Sequence, residues 1–135
     1  MRFITLKLLL LFSLSLHADI VVIGNLQNPS HMMSPREVQE IYMGRKRLLS
    51  DNSIAYPIDN KRLRNEFYKR LTNRPIEQIN AYWARLMFSG QNAPPVLIED
   101  TTDIIDKIKR NKNAIVYINE EDVEEGSVRI LFTLK

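Results

Sequence analysis

The chain has 135 residues, of which 19 are lysine or arginine, 16 are aspartate or glutamate and none is cysteine. The lack of cysteine excludes disulfide bonds and thiolate metal sites. Two of the basic residues and none of the acidic ones fall in the first 18 residues, so the remainder carries 17 basic against 16 acidic side chains, and this near-neutral balance gives little electrostatic reason to bind nucleic acid.

The first 18 residues have the pattern of a secretory signal peptide. Arg2 and Lys7 precede an apolar run over residues 8–16, and Ala18 supplies a small residue after it. The apolar run is about half of the ~20 residues that a membrane-spanning helix needs. We therefore expect cleavage after Ala18, a periplasmic location and one domain over residues 19–135. An uncleaved membrane anchor is the alternative.

The next segments predict a strand and then a helix. Residues 19–24, DIVVIG, form a short apolar run that ends in glycine, as buried strands often do. After a loop rich in Asn and Pro, Ser34 begins a helix in SPREVQEIYMGRK, where Pro35 suits the first turn and Glu37 completes a reciprocal capping pattern. Gly44 ends this helix in the left-handed conformation. The buried face of the helix is predicted to consist of Val38, Ile41 and Tyr42.

A second strand and two further helices follow. The strand is predicted at residues 54–58, and Asp59 or Asn60 is expected to cap the helix that comes after it. Pro75 opens a third helix, which Gly90 closes. The apolar residues at helical spacing are Leu63, Phe67 and Leu71 in the second helix and Ile76, Ile79, Trp83 and Leu86 in the third, and both Trp83 and Phe88 are expected in the core.

The carboxyl-terminal third completes an alternating pattern. Residues 92–96, NAPPV, predict an extended connection, and Thr101 or Thr102 begins a fourth helix with an Ile-rich face. Residues 114–118 and 127–134 predict two strands, separated by an acidic loop or single helical turn. Strands that alternate with helices indicate an α/β fold. We therefore predict a mixed sheet of about four strands flanked by about four helices.

Three stretches of the chain resemble phosphate-binding periplasmic proteins, the substrate-binding components of phosphate ABC transporters. MSPREVQEIYMGRKRLL is similar to a segment in which a capped helix ends at an aromatic residue shortly before a glycine and a basic residue. RNEFYKRLTNRPIEQINAYWARLMFSGQNAPP resembles the short single-lobe members, with an Arg-x-x-Phe helix, a Trp-containing helix, a Phe-x-Gly stop and a Pro-Pro. NAIVYI resembles a later Ala-Ile-Gly-Tyr strand, with Val116 in place of the glycine. The resemblance implies a single periplasmic-binding-protein-like lobe with a solute-binding role.

Two loops are predicted to carry ligand contacts. In α/β sheets, ligands bind beyond the carboxyl ends of strands, next to helix N-termini, which selects residues 25–34 and 59–64. The second loop offers cations beside a helix N-terminus, whose dipole attracts an anion, and we expect the first loop to lie next to it. The predicted ligands of an oxyanion are Asn28, Ser30, Asn60, Lys61, Arg62 and Arg64. The alternative is a capped helix with a solvated basic first turn.

The resemblance also limits how tightly a ligand is expected to bind. Full-length phosphate binders hold the anion between two lobes, and one lobe contributes a Ser-Gly-Thr turn at a helix N-terminus. The corresponding residues here, 60–63, contain no glycine, and the chain is long enough for one lobe. We therefore expect weak binding of phosphate or another small oxyanion, linked to transport. The alternative is a ligand-free interaction or signalling module that binds an envelope or membrane protein partner.

No other group of residues favours catalysis, a cofactor or a metal. His31 is the only histidine beyond residue 18, and the chain contains no glycine-rich phosphate loop or nucleophile elbow. The acids within residues 120–125 lack the spacing and the glycine of a calcium loop. The basic residues 45–47 suit an acidic partner, lipid headgroups or simply a solvated loop. We therefore expect a protein that is not an enzyme and uses no cofactor.

Overall fold

The computed structural model describes residues 19–135, so the predicted signal peptide lies outside the described residues. Five strands in this part of the chain form one sheet: β1 (Ile20–Gly24), β2 (Tyr56–Asn60), β3 (Val96–Ile98), β4 (Ala114–Asn119) and β5 (Arg129–Leu134). Four helices flank the sheet: α1 (Pro35–Tyr42), α2 (Arg64–Thr72), α3 (Ile76–Phe88) and α4 (Thr101–Arg110). The acidic segment before β5 contains one 3-10 turn, Glu120–Asp122. Within residues 19–135, no helix is both long and apolar enough to cross a membrane.

The sheet is mixed, with the strand order β3-β2-β4-β1-β5. β2 runs parallel to β3 and β4, whereas β1 runs antiparallel to β4 and β5. The predicted mixed α/β fold is confirmed, and its number of strands is corrected from about four to five. The additional strand, β3, follows the two prolines of the predicted extended connection. Because it pairs with β2 through only three residues, no local pattern marks it as a strand.

Both faces of the sheet are buried. α1, α2 and α3 cover one face, and α4 covers the other. β1 shows the alternation, since Ile20 and Val22 face the three-helix side while Val21 and Ile23 face α4. A strand that is covered on both sides needs no polar positions. This explains the uninterrupted apolar sequence of β1.

α1 forms as the sequence predicts. The Ser34 Oγ accepts a hydrogen bond from the Glu37 backbone N–H at 3.2 Å, and Pro35 lies in the first turn. Gly44 follows the helix with a φ of 72°, which is the left-handed conformation expected of a helix-ending glycine. The buried side chains are those of Val38, Ile41 and Tyr42. Local signals therefore determine this helix almost completely.

We expect Ser34→Ala to lower the free energy of unfolding by about 1 kcal/mol, because it removes the side-chain acceptor of the first turn of α1. Urea unfolding followed by circular dichroism would measure the change. Ser50→Ala is the matched control, since Ser50 is exposed and precedes no helix, and its effect should stay within about 0.5 kcal/mol. Equal effects of the two substitutions would contradict the capping role of Ser34.

The start of α2 differs from its prediction. Asp59 and Asn60 belong to β2, which begins and ends two residues later than expected, and α2 begins at Arg64. The residue at the N-cap position is Leu63, and no side chain caps the helix. The predicted capping role of Asp59 or Asn60 is therefore wrong. The physical reason is that both side chains are buried and bond elsewhere in the core.

The carboxyl-terminal residue of α3 is not part of the core. Trp83 is buried as predicted, but Phe88 is 94% exposed, so its expected core position is wrong. Phe88 follows Trp83 by five residues, and at about 100° per residue this turns its side chain roughly 140° away from the apolar face. The helix therefore presents a large aromatic side chain to solvent.

Candidate functional site

A tight turn joins the carboxyl end of β2 to α2, and Asn60 holds it in place. The Asn60 Nδ2 donates to the Tyr117 carbonyl at 3.2 Å, and its Oδ1 accepts from the Arg62 backbone N–H at 3.1 Å. The Lys61 backbone N–H donates to the Ile98 carbonyl at 2.9 Å, which ties the turn to β3. The amide of Asn60 is thus committed to the protein. Its role in the structure is to shape the turn.

The cations of this turn face solvent. Lys61 and Arg62 are both exposed. The Lys61 Nζ lies 3.5 Å from the Glu99 Oε2, but both side chains are more than half exposed, so this pair binds only weakly. Among the described residues, the Arg62 side chain makes no ion pair. Both charges therefore remain accessible to an anion that approaches the turn.

The first turn of α2 adds unpaired backbone donors next to these cations. No side chain accepts from the N–H groups of residues 64–66, because the helix lacks a side-chain cap. An uncapped helix N-terminus attracts anions through these N–H groups and through the helix dipole. The turn and the start of α2 therefore bring two exposed cations and free backbone N–H groups together at the carboxyl end of β2, near the acids Glu66 and Glu99.

Arg64, in contrast, turns inward to a buried carboxylate. Its Nε lies 3.3 Å from the Asp59 Oδ2, and its Nη1 donates to the Asn80 Oδ1 at 2.7 Å. The Asp59 Oδ1 accepts from the hydroxyls of Tyr68 and Tyr117, both at 2.9 Å. These contacts occupy the Arg64 guanidinium. They leave Lys61 and Arg62 as the cations of the turn that face solvent.

The ionisation of this cluster follows from its burial. Burial raises the pKa of the Asp59 carboxyl above its ordinary value, although the hydrogen bonds from Tyr68 and Tyr117 and the charge of Arg64 oppose the shift. Burial and the negative charge of Asp59 raise the pKa values of Tyr68 and Tyr117. Both tyrosines therefore stay protonated and keep donating to Asp59. The sequence prediction missed this cluster because it treated Asp59 as a helix cap.

The loop that contains Asn28 and Ser30 lies elsewhere. The Asn28 Nδ2 donates to the Ala114 carbonyl at 3.3 Å, and its Oδ1 accepts from the Ser30 backbone N–H at 2.9 Å. Asn60 bonds to Tyr117, three residues further along β4, which corresponds to about 10 Å along a strand. Because β1 and β2 run in opposite directions, their carboxyl ends lie at opposite ends of the sheet. The structure therefore does not bring the two predicted loops together.

The fold is similar to that of two solved proteins from phosphate transport. An ABC-type phosphate transport receptor from Vibrio cholerae matches 84% of this chain with a TM-score of 0.64 and 13% sequence identity. A structure described as a phosphate ABC transporter substrate-binding protein with bound phosphate, from Clostridium perfringens, matches 84% with a TM-score of 0.65 and 17% identity. The matched regions are 46% and 45% of those two chains. This chain thus spans about half the length of the structures it matches.

Comparison of the sequence with family models and with curated proteins finds no match. The similarity to the two solved structures concerns the fold, because their sequence identities are 13% and 17%. The chain has the fold of about one half of a phosphate-transport substrate-binding protein.

Proposed function

We propose that the chain is an exported, non-catalytic solute-binding-like domain that binds phosphate or a similar small oxyanion weakly. The observation that carries this proposal is the uncapped start of α2 beside the exposed cations Lys61 and Arg62. It occurs in a fold that resembles a substrate-binding protein described with bound phosphate. The proposed ligands are the two side chains and the backbone N–H groups of residues 64–66.

The contacts that remain available imply a weak site. Arg64 is held by Asp59, the Asn60 amide is held by the turn, and Asn28 lies at the other end of the sheet. Exposed charges contribute about 0–1 kcal/mol each, whereas a millimolar dissociation constant corresponds to about −4 kcal/mol. Two exposed cations and a helix N-terminus together supply at most about 3 kcal/mol, so we expect binding no tighter than the millimolar range. A site on one half of the matched fold also leaves the anion in contact with water.

The alternative is a ligand-free interaction or signalling module that binds a membrane or envelope protein. Two side chains at the end of α3 favour it, since Met87 is 56% and Phe88 is 94% exposed. Exposed aromatic side chains are more common at binding surfaces than elsewhere on a protein. This second function needs no ligand at the start of α2. It is therefore separable from the first by a titration with phosphate.

We expect sodium phosphate, added at constant ionic strength, to shift the backbone amide resonances of residues 61–66 saturably at millimolar concentration. Lys61→Ala combined with Arg62→Ala should weaken this binding about tenfold, because it removes two exposed charges that contribute up to about 1 kcal/mol each, and about 1.4 kcal/mol corresponds to a factor of ten. The matched control is Lys109→Ala with Lys112→Ala, which removes two exposed lysines near the end of α4.

The titration separates the two functions. Saturable shifts that disappear in the Lys61 and Arg62 double variant support the oxyanion site. The absence of shifts at the start of α2 would reject that site and favour the interaction module. Shifts that persist fully in the double variant would show that phosphate binds at a different place. Higher salt should weaken the expected binding, since exposed charges are screened.

A further inference from the structure

A cavity of about 260 Å³ lies at the opposite end of β2 from the turn described above. It is formed by the end of α1 and the loop after it, by α3, and by the segments that lead into β2 and β3. Its apolar and aromatic lining includes Ile41, Ile54, Pro57, Trp83 and Pro94. The described chain places no side chain inside it.

Trp83 borders this cavity with an unpaired donor. Its side chain is 4% exposed, yet its Nε1–H has no acceptor among the described residues. The ring is held firmly, because Gly44 approaches it closely and Tyr82 contacts its edge with ring centres 5.5 Å apart. Buried donors nearly always have a partner. A ligand oxygen that reached this edge of the ring would supply one.

Three further polar side chains lie around the cavity: Lys46, Arg47 and Asn92. Asn92 is already satisfied, since its Nδ2 donates to the Gly44 carbonyl at 3.0 Å and its Oδ1 accepts from the Ala93 N–H at 2.9 Å. Lys46 pairs only loosely with Glu37, at 3.8 Å. Arg47 is exposed and makes no ion pair within the described part of the chain. The rim of the cavity therefore offers two cations to a ligand, and the residue that lines it, Trp83, carries a further N–H without an acceptor.

We propose that this cavity binds a small carboxylate that carries an apolar ring. The apolar walls suit the ring, and the two cations at the rim favour a negatively charged group with acceptor oxygens. The size agrees, because an apolar cavity of about 150 Å³ already accommodates benzene. The proposal does not rest on phosphate binding, since none of Lys61, Arg62 and the residues 64–66 lines this cavity.

The test uses the fluorescence of Trp83, which is the only tryptophan of the chain. The probe is 3-phenylpropionate, and the matched neutral compound is 3-phenylpropanol. We expect the carboxylate to change the Trp83 emission saturably and to bind about tenfold more tightly than the alcohol, because a charge-assisted hydrogen bond is roughly twice as strong as a neutral one. Equal affinities for the two compounds, or no saturable change with either, would overturn the proposal.

Variants locate the binding site. Lys46→Met with Arg47→Met keeps apolar side chains at the rim but removes both charges, and it should weaken 3-phenylpropionate binding about tenfold. Lys109→Met with Lys112→Met is the control and should leave the affinity unchanged. Trp83→Phe keeps an aromatic wall and removes the N–H, and carboxylate binding followed by amide resonances should weaken about fivefold or more. Full affinity in both the rim variant and the Trp83 variant would overturn the proposal.

The same chemistry occurs in free acids and at the end of a peptide chain. A short peptide that ends in phenylalanine presents the ring and the carboxylate from its last residue. Tighter binding of this peptide than of 3-phenylpropionate would assign the site to a chain end, whereas the reverse order would assign it to a free acid. Both results support the proposed chemistry. Competition between phosphate and 3-phenylpropionate at the same residues would contradict the separation of the two sites.

Discussion

Asp59→Ala is expected to lower the free energy of unfolding by about 3–5 kcal/mol at neutral pH, which is the usual cost of removing one partner of a buried ion pair. The substitution leaves Arg64 without its carboxylate and leaves the hydroxyls of Tyr68 and Tyr117 without their acceptor. Urea unfolding monitored by circular dichroism would measure it. A loss below about 0.5 kcal/mol, the level of an ordinary surface substitution, would contradict the role of Asp59 as the centre of the cluster.

The matched variant is Asp59→Asn, because its side-chain oxygen still accepts from both tyrosines. We expect it to lower the free energy of unfolding less than Asp59→Ala does, because it retains a hydrogen-bond acceptor for both tyrosines. Its pH dependence follows from the raised pKa of Asp59. The folded protein holds this proton more tightly than the unfolded chain, so the contribution of Asp59 to stability is greatest below the ordinary pKa of 3.8 and falls as the pH rises through the folded pKa.

Asparagine does not titrate, so the stability gap between the parent protein and the Asp59→Asn variant should be widest in acid and narrow toward neutral pH. Unfolding curves at several pH values between acid and neutral would show this. A gap that widens as the pH rises would mean that the folded state favours the carboxylate. In that case the hydrogen bonds to Asp59 and the charge of Arg64 would outweigh the effect of burial on the pKa of Asp59.

Gly44→Ala should lower the free energy of unfolding by about 2–5 kcal/mol. An added Cβ would lie 2.6 Å from the Asn92 Nδ2 and 2.7 Å from the Trp83 Cη2, and φ at this position is +72°. The left-handed backbone costs about 1–2 kcal/mol for a residue other than glycine, and overpacking adds about 1–3 kcal/mol. Thermal and urea unfolding would measure the loss, and a shift of the Trp83 emission would report the clash with the ring.

Gly90→Ala provides the control for the packing part of this prediction. Gly90 has nearly the same φ, +71°, but nothing lies within 4 Å of an added Cβ. Its substitution should therefore cost only the backbone part, about 1–2 kcal/mol. If the two variants lose the same stability, the close approach of Trp83 and Asn92 to Gly44 does not limit the size of the residue there.

The elements that the sequence predicts well are those with local signals. Ser34, Pro35 and Gly44 define α1, because the residues that signal its beginning and its end lie within one short segment of the sequence. β3 carries no such signal, since three residues are too few for a period and its stability comes from pairing with β2. Asp59 shows the same limit at the site. Its partner Tyr117 is 58 residues away, so no spacing in the sequence connects the two.

The positions of the candidate residues in the fold follow the sequence only in part, for a related reason. Lys61 and Arg62 lie exposed at the start of α2, as their place between a strand and a helix predicts. The expectation that Asn28 and Asn60 lie close together is wrong, because it requires β1 and β2 to run in the same direction. Strand direction depends on how distant segments pair, and β1 pairs antiparallel with β4 whereas β2 pairs parallel with it. The direction of each strand is therefore set by the pairing of the whole sheet and not by its local sequence.

The two outer strands of the sheet also affect how the protein meets other chains. β3 has three residues and follows Pro94 and Pro95, which lack backbone N–H groups, so this edge offers few donors to an incoming strand. β5 is longer, but its pairing with β1 is interrupted next to Val22, and the Leu131 carbonyl accepts from the Met33 N–H at 2.8 Å. Short or irregular edges of this kind disfavour edge-to-edge aggregation. Association with other proteins should therefore use side-chain surfaces rather than a shared sheet.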